Sequence, residues 1–188
     1  MEKKVRGCSL QWVHKPKLYI QNEDSVVIET EPFTSLRPQG KGAEAKELYL
    51  IPNGNFHFTV RVDYRFSKPF DQCGLLLYNG NVRKAVFGTE MGNGNVNKLS
   101  CIVYHEEGGD RSERDIGADI SWMYYRIWFR SGSIRIQFSF NGKVYSDLRE
   151  FGISDDEPPI RIGIYACSPM DSWFDCTFSE MRMSDEGD

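Results

Sequence analysis

The 188-residue chain has no window of about 20 apolar residues, so no segment is expected to cross a membrane as a helix. Histidine is scarce: the three, at positions 14, 57 and 105, are scattered without metal-ligand spacing. The five cysteines, at 8, 73, 101, 167 and 176, are odd in number and form no Cys-x-x-Cys. This pattern predicts neither a zinc site nor a disulfide framework. Cys73, Cys101, Cys167 and Cys176 sit in apolar runs and read as buried free thiols. The opening Met1-Glu-Lys-Lys-Val-Arg lacks the apolar run of a secretory signal, and no Asn-x-Ser/Thr sequon is present. A reducing, cytoplasmic setting is therefore expected. Gly-x-Ser-x-Gly and phosphate-binding loops are also missing. The net charge of −4 speaks against a general nucleic-acid binder and against an anionic membrane surface as partner.

Helical periodicity is absent as well. No stretch of ten or more residues repeats its apolar positions every 3.6, whereas alternation recurs throughout. Phe56, Phe58, Val60, Val62, Tyr64 and Phe66 fall on one side of a strand, with His57, Thr59, Arg61, Asp63 and Arg65 on the other. Residues 74–78 form a continuous apolar run, the pattern of a strand covered on both faces. Further strands are predicted at 10–13, 18–20, 26–29, 48–51, 82–90, 99–104, 122–130, 134–140, 160–166 and 174–183.

Asn53-Gly54, Asn79-Gly80 and Asn141-Gly142 supply positive-φ turn chemistry, and Asn141-Gly142 is expected to open a hairpin into Lys143-Val-Tyr. Two polar stretches, 31–46 and 106–119, read as long loops. No linker or internal repeat interrupts the chain. Many short strands joined by such turns predict one domain over 1–188, an all-β sandwich or jelly roll of two antiparallel sheets.

The hairpin around Ser131-Gly132 is the most informative feature. Met123, Tyr125, Ile127 and Phe129 make an ordinary core face. Trp122, Tyr124, Arg126, Trp128 and Arg130 make a face of flat rings and guanidiniums. Rings stack on the C–H faces of a sugar, and a guanidinium donates to several hydroxyls in fixed geometry. The same face also has a plain reading, with Arg stacked on Trp beneath a neighbouring loop.

Phe70-Asp-Gln-Cys-Gly-Leu-Leu-Leu-Tyr78 and Ile160-Arg-Ile-Gly-Ile-Tyr-Ala-Cys-Ser-Pro169 resemble the two signature strands of a small family in the concanavalin A-like superfamily. Its fungal members carry the label "regulation of enolase". The first segment is also similar to the appended sandwich domain of some β-xylosidases. A preceding Phe58-Thr-Val-Arg-Val62, a following Gly88-Thr-Glu90 and a closing Phe178-Ser-Glu-Met181 keep the family's order over residues 10–183. The resemblance implies a concanavalin A-like β-sandwich and, since the family has no assigned reaction, little about activity. The chain departs from the pattern in places. Val86 stands at the position of the family's lysine, with Lys84 two residues earlier. Glu31-Pro-Phe-Thr-Ser replaces an Asp-x-Trp, and the charged 106–119 stretch replaces a Ser-Asp-Trp.

The expected ligand-binding residues are Lys84, Glu90, Tyr104, Trp122, Arg126, Trp128, Arg161 and Tyr165, with Arg161, Tyr165 and Tyr104 extending the hairpin surface on one concave sheet. The leading reading is a non-catalytic module for a carbohydrate or sugar-like polar metabolite, with no cofactor and no metal. A glycosidase or lyase using Glu90 is one alternative. It needs a second carboxylate, and the glucanase pattern Glu-x-Asp-x-x-Glu is broken here, since Glu113-Arg-Asp115 is followed by Ala118 at the closing position. A regulatory or structural domain that pairs with another protein, or with itself as a homodimer, is the other. Asp71 reads as a turn residue bonding nearby amides, or as a direct ligand contact. Asp155-Asp156-Glu157 reads as an acidic turn rather than a Ca²⁺ site.

Overall fold

The computed structural model describes residues 4–5, 8–22, 25–36, 43–50, 52, 54–80, 82–105, 108–153 and 160–184. The acidic turn 155–157, the terminal residues 185–188 and the side chain of Cys8 lie outside the described residues. Every regular element among them is a strand.

In chain order these begin with β1 (Lys4–Val5), β2 (Cys8–Ser9), β3 (Gln11–His14), β4 (Tyr19–Gln21), β5 (Ser25–Glu29) and β6 (Thr34–Ser35). Next come β7 (Ala43–Glu44), β8 (Lys46–Leu50), β9 (Phe56–Tyr64), β10 (Gln72–Asn79), β11 (Val82–Met91) and β12 (Val96–His105). The chain closes with β13 (Gly108–Gly117), β14 (Trp122–Arg130), β15 (Ser133–Ser139), β16 (Ser146–Gly152), β17 (Ile160–Cys167) and β18 (Asp175–Ser184). Two seven-stranded sheets result. One runs β13-β12-β11-β10-β17-β8-β3, the other β16-β15-β14-β9-β18-β5-β4. All pairings within them are antiparallel. The fold is the expected two-sheet concanavalin A-like β-sandwich.

Alternation decides which side chains meet between the layers. From β9, Phe56, Phe58, Val60, Val62 and Tyr64 point inward, as do Met123, Tyr125 and Ile127 of β14. Cys73, Leu75 and Leu77 of β10 and Ala85 and Phe87 of β11 meet them from the other sheet. Burial of one large aliphatic or aromatic side chain is worth roughly 1.5–3 kcal/mol, so this interlayer cluster carries most of the stability. Thr89 and Tyr125 hydrogen-bond hydroxyl to hydroxyl across it. The β14–β15 hairpin turns at Ser131 and Gly132, both at positive φ (46° and 78°), the backbone of a type I′ turn.

Two expectations need correction. Residues 108–117 are not a loop but the edge strand β13, fully paired to β12. Only Ile116 of it is apolar and buried. Its charges are neutralised by ion pairs instead: Lys98 of β12 pairs with Glu113 and Asp115 across the register, and Arg111 with Glu113 along β13 itself. Such charge is also what keeps an exposed edge from adding further strands. Second, the hairpin expected at Asn141-Gly142 does form, between β15 and β16, but Lys143-Val-Tyr lies in its loop rather than in its strand. Asn141 Oδ1 accepts the amides of Lys143 and Val144 at 2.9 and 3.0 Å. This holds 140–145 as a loop, and β16 begins only at Ser146.

Burial pushes the phenols of Tyr64, Tyr125 and Tyr165 above the usual range, and that of Tyr78 up to about 12. The folded state therefore keeps these protons where an unfolded chain, with phenols near pKa ~10, releases them. The stabilisation is complete below pH ~10 and is lost as pH rises toward 12 and beyond. An alkaline titration followed by tyrosinate absorbance and circular dichroism should show these tyrosines ionising only together with loss of structure. Ionisation of all nine tyrosines with the fold intact would contradict this.

Candidate functional site

The outer face of the β14 sheet is built from alternate residues of neighbouring strands. Register sets Trp122 beside Asp63, Tyr124 beside Arg61, Arg126 beside Thr59 and Trp128 beside His57. On the other flank Arg126 faces Gln137 and Trp128 faces Arg135. The hairpin's polar-aromatic side is thus outside the sandwich, as alternation requires.

Neighbours occupy much of this face. The Arg61 guanidinium lies 4.5 Å over the Trp122 ring and forks onto Asp63 at 2.7 and 2.9 Å. That hydrogen bond raises the Arg61 pKa further. Trp122 is therefore capped rather than open. Trp128 packs on His57 with ring centroids 4.4 Å apart, and its Nε1 donates to Gln137 Oε1 at 2.9 Å. Arg126 lies 3.5 Å from the Tyr145 ring centroid and 5.8 Å from that of Trp128, and its Nε donates to Thr59 Oγ1 at 3.1 Å. The plain reading, an arginine beneath a loop, therefore holds for one side of Arg126, since Tyr145 belongs to the 140–145 loop.

Two cavities remain beside these groups. One, of about 480 Å³, has Arg126, Thr59, Tyr124, Tyr145 and Glu180 in its wall. A bulge between Ser179 and Arg182, with Glu180 at φ 49°, turns this carboxylate toward Tyr124, whose hydroxyl donates to it at 2.9 Å. The second, of about 410 Å³, is lined by Trp128, Arg130, Ser133, Arg135 and Glu150. The sequence singled out Arg126 and Trp128 but not Thr59, Tyr145, Glu180 or Arg135. Thr59 was legible from alternation on its own strand; Tyr145 and Glu180 depend on a loop and a bulge that carry no periodic signal.

The other predicted residues lie on the opposite side of the molecule. Lys84, Glu90, Tyr104, Arg161 and Tyr165 belong to β11, β12 and β17 of the β10 sheet; Glu90, Tyr104, Arg161 and Tyr165 face outward from it, and Lys84 is the extra residue of a bulge between Ala85, opposite Leu77, and Arg83, opposite Tyr78. They cannot extend the hairpin surface, because β17 pairs with β10 and β8 and never meets β14. The single concave surface carrying all eight residues is thus corrected to two sheets, with three of the residues on the β14 sheet and five on the β10 sheet. Tyr165 is only 2% exposed, under a small second core of Ala45, Leu76, Val86 and Cys167. Its hydroxyl donates to Gln72 Oε1 at 3.5 Å. Glu90 stands opposite Gln72 and accepts from it at 3.4 Å, and it pairs with Arg111 at 3.4 Å.

Gly74 and Gly88 face each other in register at this place. A Cβ on Gly88 would meet Cys73 O at 2.1 Å, so the two backbones approach too closely for any side chain. The signature segments thus converge around Gln72, Gly74, Gly88, Glu90 and Tyr165, in a polar network laid on a bare backbone.

Asp71 settles as a turn residue. Its Oδ2 accepts the amides of Ser67 and Lys68 at 2.8 and 2.9 Å, and its Oδ1 accepts the Ser172 hydroxyl at 2.7 Å. Around this rim Phe33, Phe70, Met170 and Trp173 are exposed. Phe33 and Phe70 hold φ of 59° and 74°, where a non-glycine residue is strained by about 1–3 kcal/mol.

A third cluster joins residues far apart in the chain. β3 pairs with β8 and sets His14 opposite Glu47; with Glu44, their donor atoms lie within 4.8 Å of one another. One imidazole and two carboxylates suit a divalent ion such as zinc. Glu47, at 1% exposure, already accepts from Arg83 at 2.7 Å and from the Tyr78 hydroxyl at 2.8 Å. Its charge is thus neutralised within the protein.

Comparison with known proteins agrees with this architecture. The family described as "Protein of unknown function (DUF1349)" matches residues 12–186. The chain belongs to this family. Regulation of enolase protein 1 of Saccharomyces cerevisiae is 26% identical to it over 181 residues, covering 92% of this chain and 88% of that protein. Among solved structures, a functionally unknown protein from Saccharomyces cerevisiae superposes with a TM-score of 0.80 at 23% identity, covering 94% of this chain and 96% of the other. A xylan beta-1,4-xylosidase from Bacillus halodurans C-125 superposes with a TM-score of 0.69 at 11% identity, over 86% of this chain but 33% of the enzyme. At these identities the two superpositions establish the fold alone.

Removing one partner of a buried ion pair strands the other charge, at a cost of about 3–5 kcal/mol. Arg83→Met should lower stability by roughly that amount in denaturant unfolding, and adding Glu47→Gln should recover part of it. A single variant as stable as the parent would show that the pair is not a structural tie for this DUF1349 chain.

Proposed function

We propose that this DUF1349 protein is a non-catalytic, cytoplasmic module that binds a carbohydrate or similar polar ligand on the outer face of its β14 sheet. The observation that carries the reading is Arg126, pinned between Tyr145 and Trp128 and bonded to Thr59 at the wall of a 480 Å³ cavity. Preorganised donors cost little entropy on binding. Tyr124 and Glu180 add a hydroxyl and a carboxylate acceptor in the same cavity. Trp128 adds a ring surface in the adjoining cavity. Together these groups match the edge and the face of a sugar ring.

The enzyme reading has one observation in its favour: Glu90 and Glu113 both pair with Arg111, so two carboxylates share a guanidinium. Its chemistry does not fit. A general acid needs a raised pKa, whereas the Lys98 ammonium, donating to Glu113, holds that carboxyl below its usual range. A homodimer through the β14 face would have to cover Arg182, Arg135 and Glu180, which are charged and exposed, so we place a ligand there rather than a second copy.

Trp128→Ala and Arg126→Ala should each weaken binding of a responsive glycan at least tenfold, equivalent to about 1.4 kcal/mol. Glu90→Gln should leave it unchanged. Glycan array screening followed by calorimetry measures both. Full affinity in both groove variants, or turnover abolished by Glu90→Gln, would overturn the proposal.

A further inference from the structure

We infer that the ligand of the β14 face is anionic, a sugar bearing a phosphate or a carboxylate, with Arg126 as its counter-charge. This rests on the binding reading above and narrows it by charge.

The chain as a whole carries −4, yet this face is locally positive. Arg126, Lys143 and Arg182 border the larger cavity against one carboxylate, Glu180. Arg130 and Arg135 border the smaller against Glu150. The carboxylates are engaged nearby: Glu180 accepts from Tyr124 at 2.9 Å and pairs with Arg182 at 3.5 Å, while Glu150 pairs with Arg135 at 3.3 Å.

Arg126 differs from these. It is half-buried, its Nε bond goes to the neutral Thr59 hydroxyl, and its other contacts are two aromatic rings. Among the described residues no carboxylate pairs with it. A guanidinium withdrawn from water without a counter-ion is costly, and a planar fork held in one pose is suited to bidentate contact with phosphate or carboxylate. Thr59 takes Nε, so the terminal nitrogens remain to meet an anion. Arg182, whose side chain is 77% exposed, lies across the same cavity and can close on it.

The Arg61 guanidinium on the same face shows the contrast. It is charged and stacked on a ring too, but Asp63 satisfies its fork at 2.9 and 2.7 Å. Two stacked arginines on one sheet face thus differ in whether the protein supplies the anion.

The test is calorimetry on the full chain with matched probes: glucose, glucose 6-phosphate, glucuronate and inorganic phosphate, then the pentose equivalents. The expected result is at least tenfold tighter binding of the charged sugars than of the neutral ones. That preference should weaken with added salt, and should be lost in Arg126→Gln and reduced in Arg182→Gln. Because Arg126→Gln removes packing as well as charge, Arg182→Gln, at an exposed site, keeps the test independent of folding, and thermal unfolding verifies both variants. Equal affinity for neutral and charged sugars would overturn the anion inference and leave the carbohydrate reading standing. Phosphate binding as tightly as the phosphorylated sugars would keep the anion and remove the sugar. Charged sugars bound with full affinity by both variants would move the site off this face, and no binding by any probe would overturn both readings.

Discussion

Everything in this molecule depends on the two-residue period of its strands, because both sheets bury one face against the other. Inner positions of β9, β10, β11 and β14 are filled by Phe, Val, Leu, Ile and Tyr at essentially zero exposure. A one-residue slip in β9 or β14 would drive Arg61 or Arg126 into the core and throw Val60 or Tyr125 into water. That constraint leaves most of the outer face of the β14 sheet free, whereas the outer face of the β10 sheet buries a small second cluster of Ala45, Leu76, Val86, Tyr165 and Cys167. Polar side chains can therefore accumulate on the β14 face at little cost in stability.

The edges show how the remaining backbone is managed. β13 and β16 lie at the rims of different sheets, and Arg149 of β16 reaches across to Ser112 at 2.6 Å and to Asp110. Arg114, on the same side of β13, lies 5.4 Å over the Phe138 ring. Where the apolar core thins, charged side chains with long stems close the gap between the layers. Just past the ends of β5 and β17, Thr30 and Ser168 meet hydroxyl to hydroxyl at 2.7 Å, and Thr34 accepts the Ser168 amide at 3.0 Å. Polar bonds there tie a connection onto the sheet that would otherwise lack a partner.

The legibility of each part follows from what generates it. Alternation placed Trp122, Arg126 and Trp128 on one outer face, because facing depends only on neighbours along the chain. It could not say which sheet β17 joins, so Arg161 and Tyr165 were grouped with a face on the other side of the sandwich. Sheet membership is decided by pairing across long separations, and a strand such as Ile160–Cys167 carries no local mark of its partner. β13 was hidden for a different reason. Its residues Asp110 to Asp115 are held by cross-strand ion pairs and backbone bonds rather than by apolar burial, so hydrophobic periodicity is silent there. The His14–Glu47 contact was invisible for the first reason again, since it exists only through the pairing of β3 with β8.

The two outer faces differ in a way that bears on chemistry. On the β10 face nearly every charge has an opposite charge within reach: Glu90 and Glu113 with Arg111, Lys98 with Asp115, Glu47 with Arg83. Hydrogen bonding to Asp115 raises the Lys98 ammonium, and Lys98 lowers Glu113, so both groups are held in their charged forms. A proton-transferring site needs the reverse, a group kept near the point of exchange by burial or by like charge. Such a network holds its charges in place beside the small apolar cluster of Ala45, Leu76, Val86 and Cys167. On the β14 face the charges do not cancel, and Arg126 is balanced by ring electrons and a hydroxyl alone. A guanidinium held by two rings and a hydroxyl at a cavity wall, with no carboxylate paired to it among the described residues, is the observation on which the proposed anion binding rests.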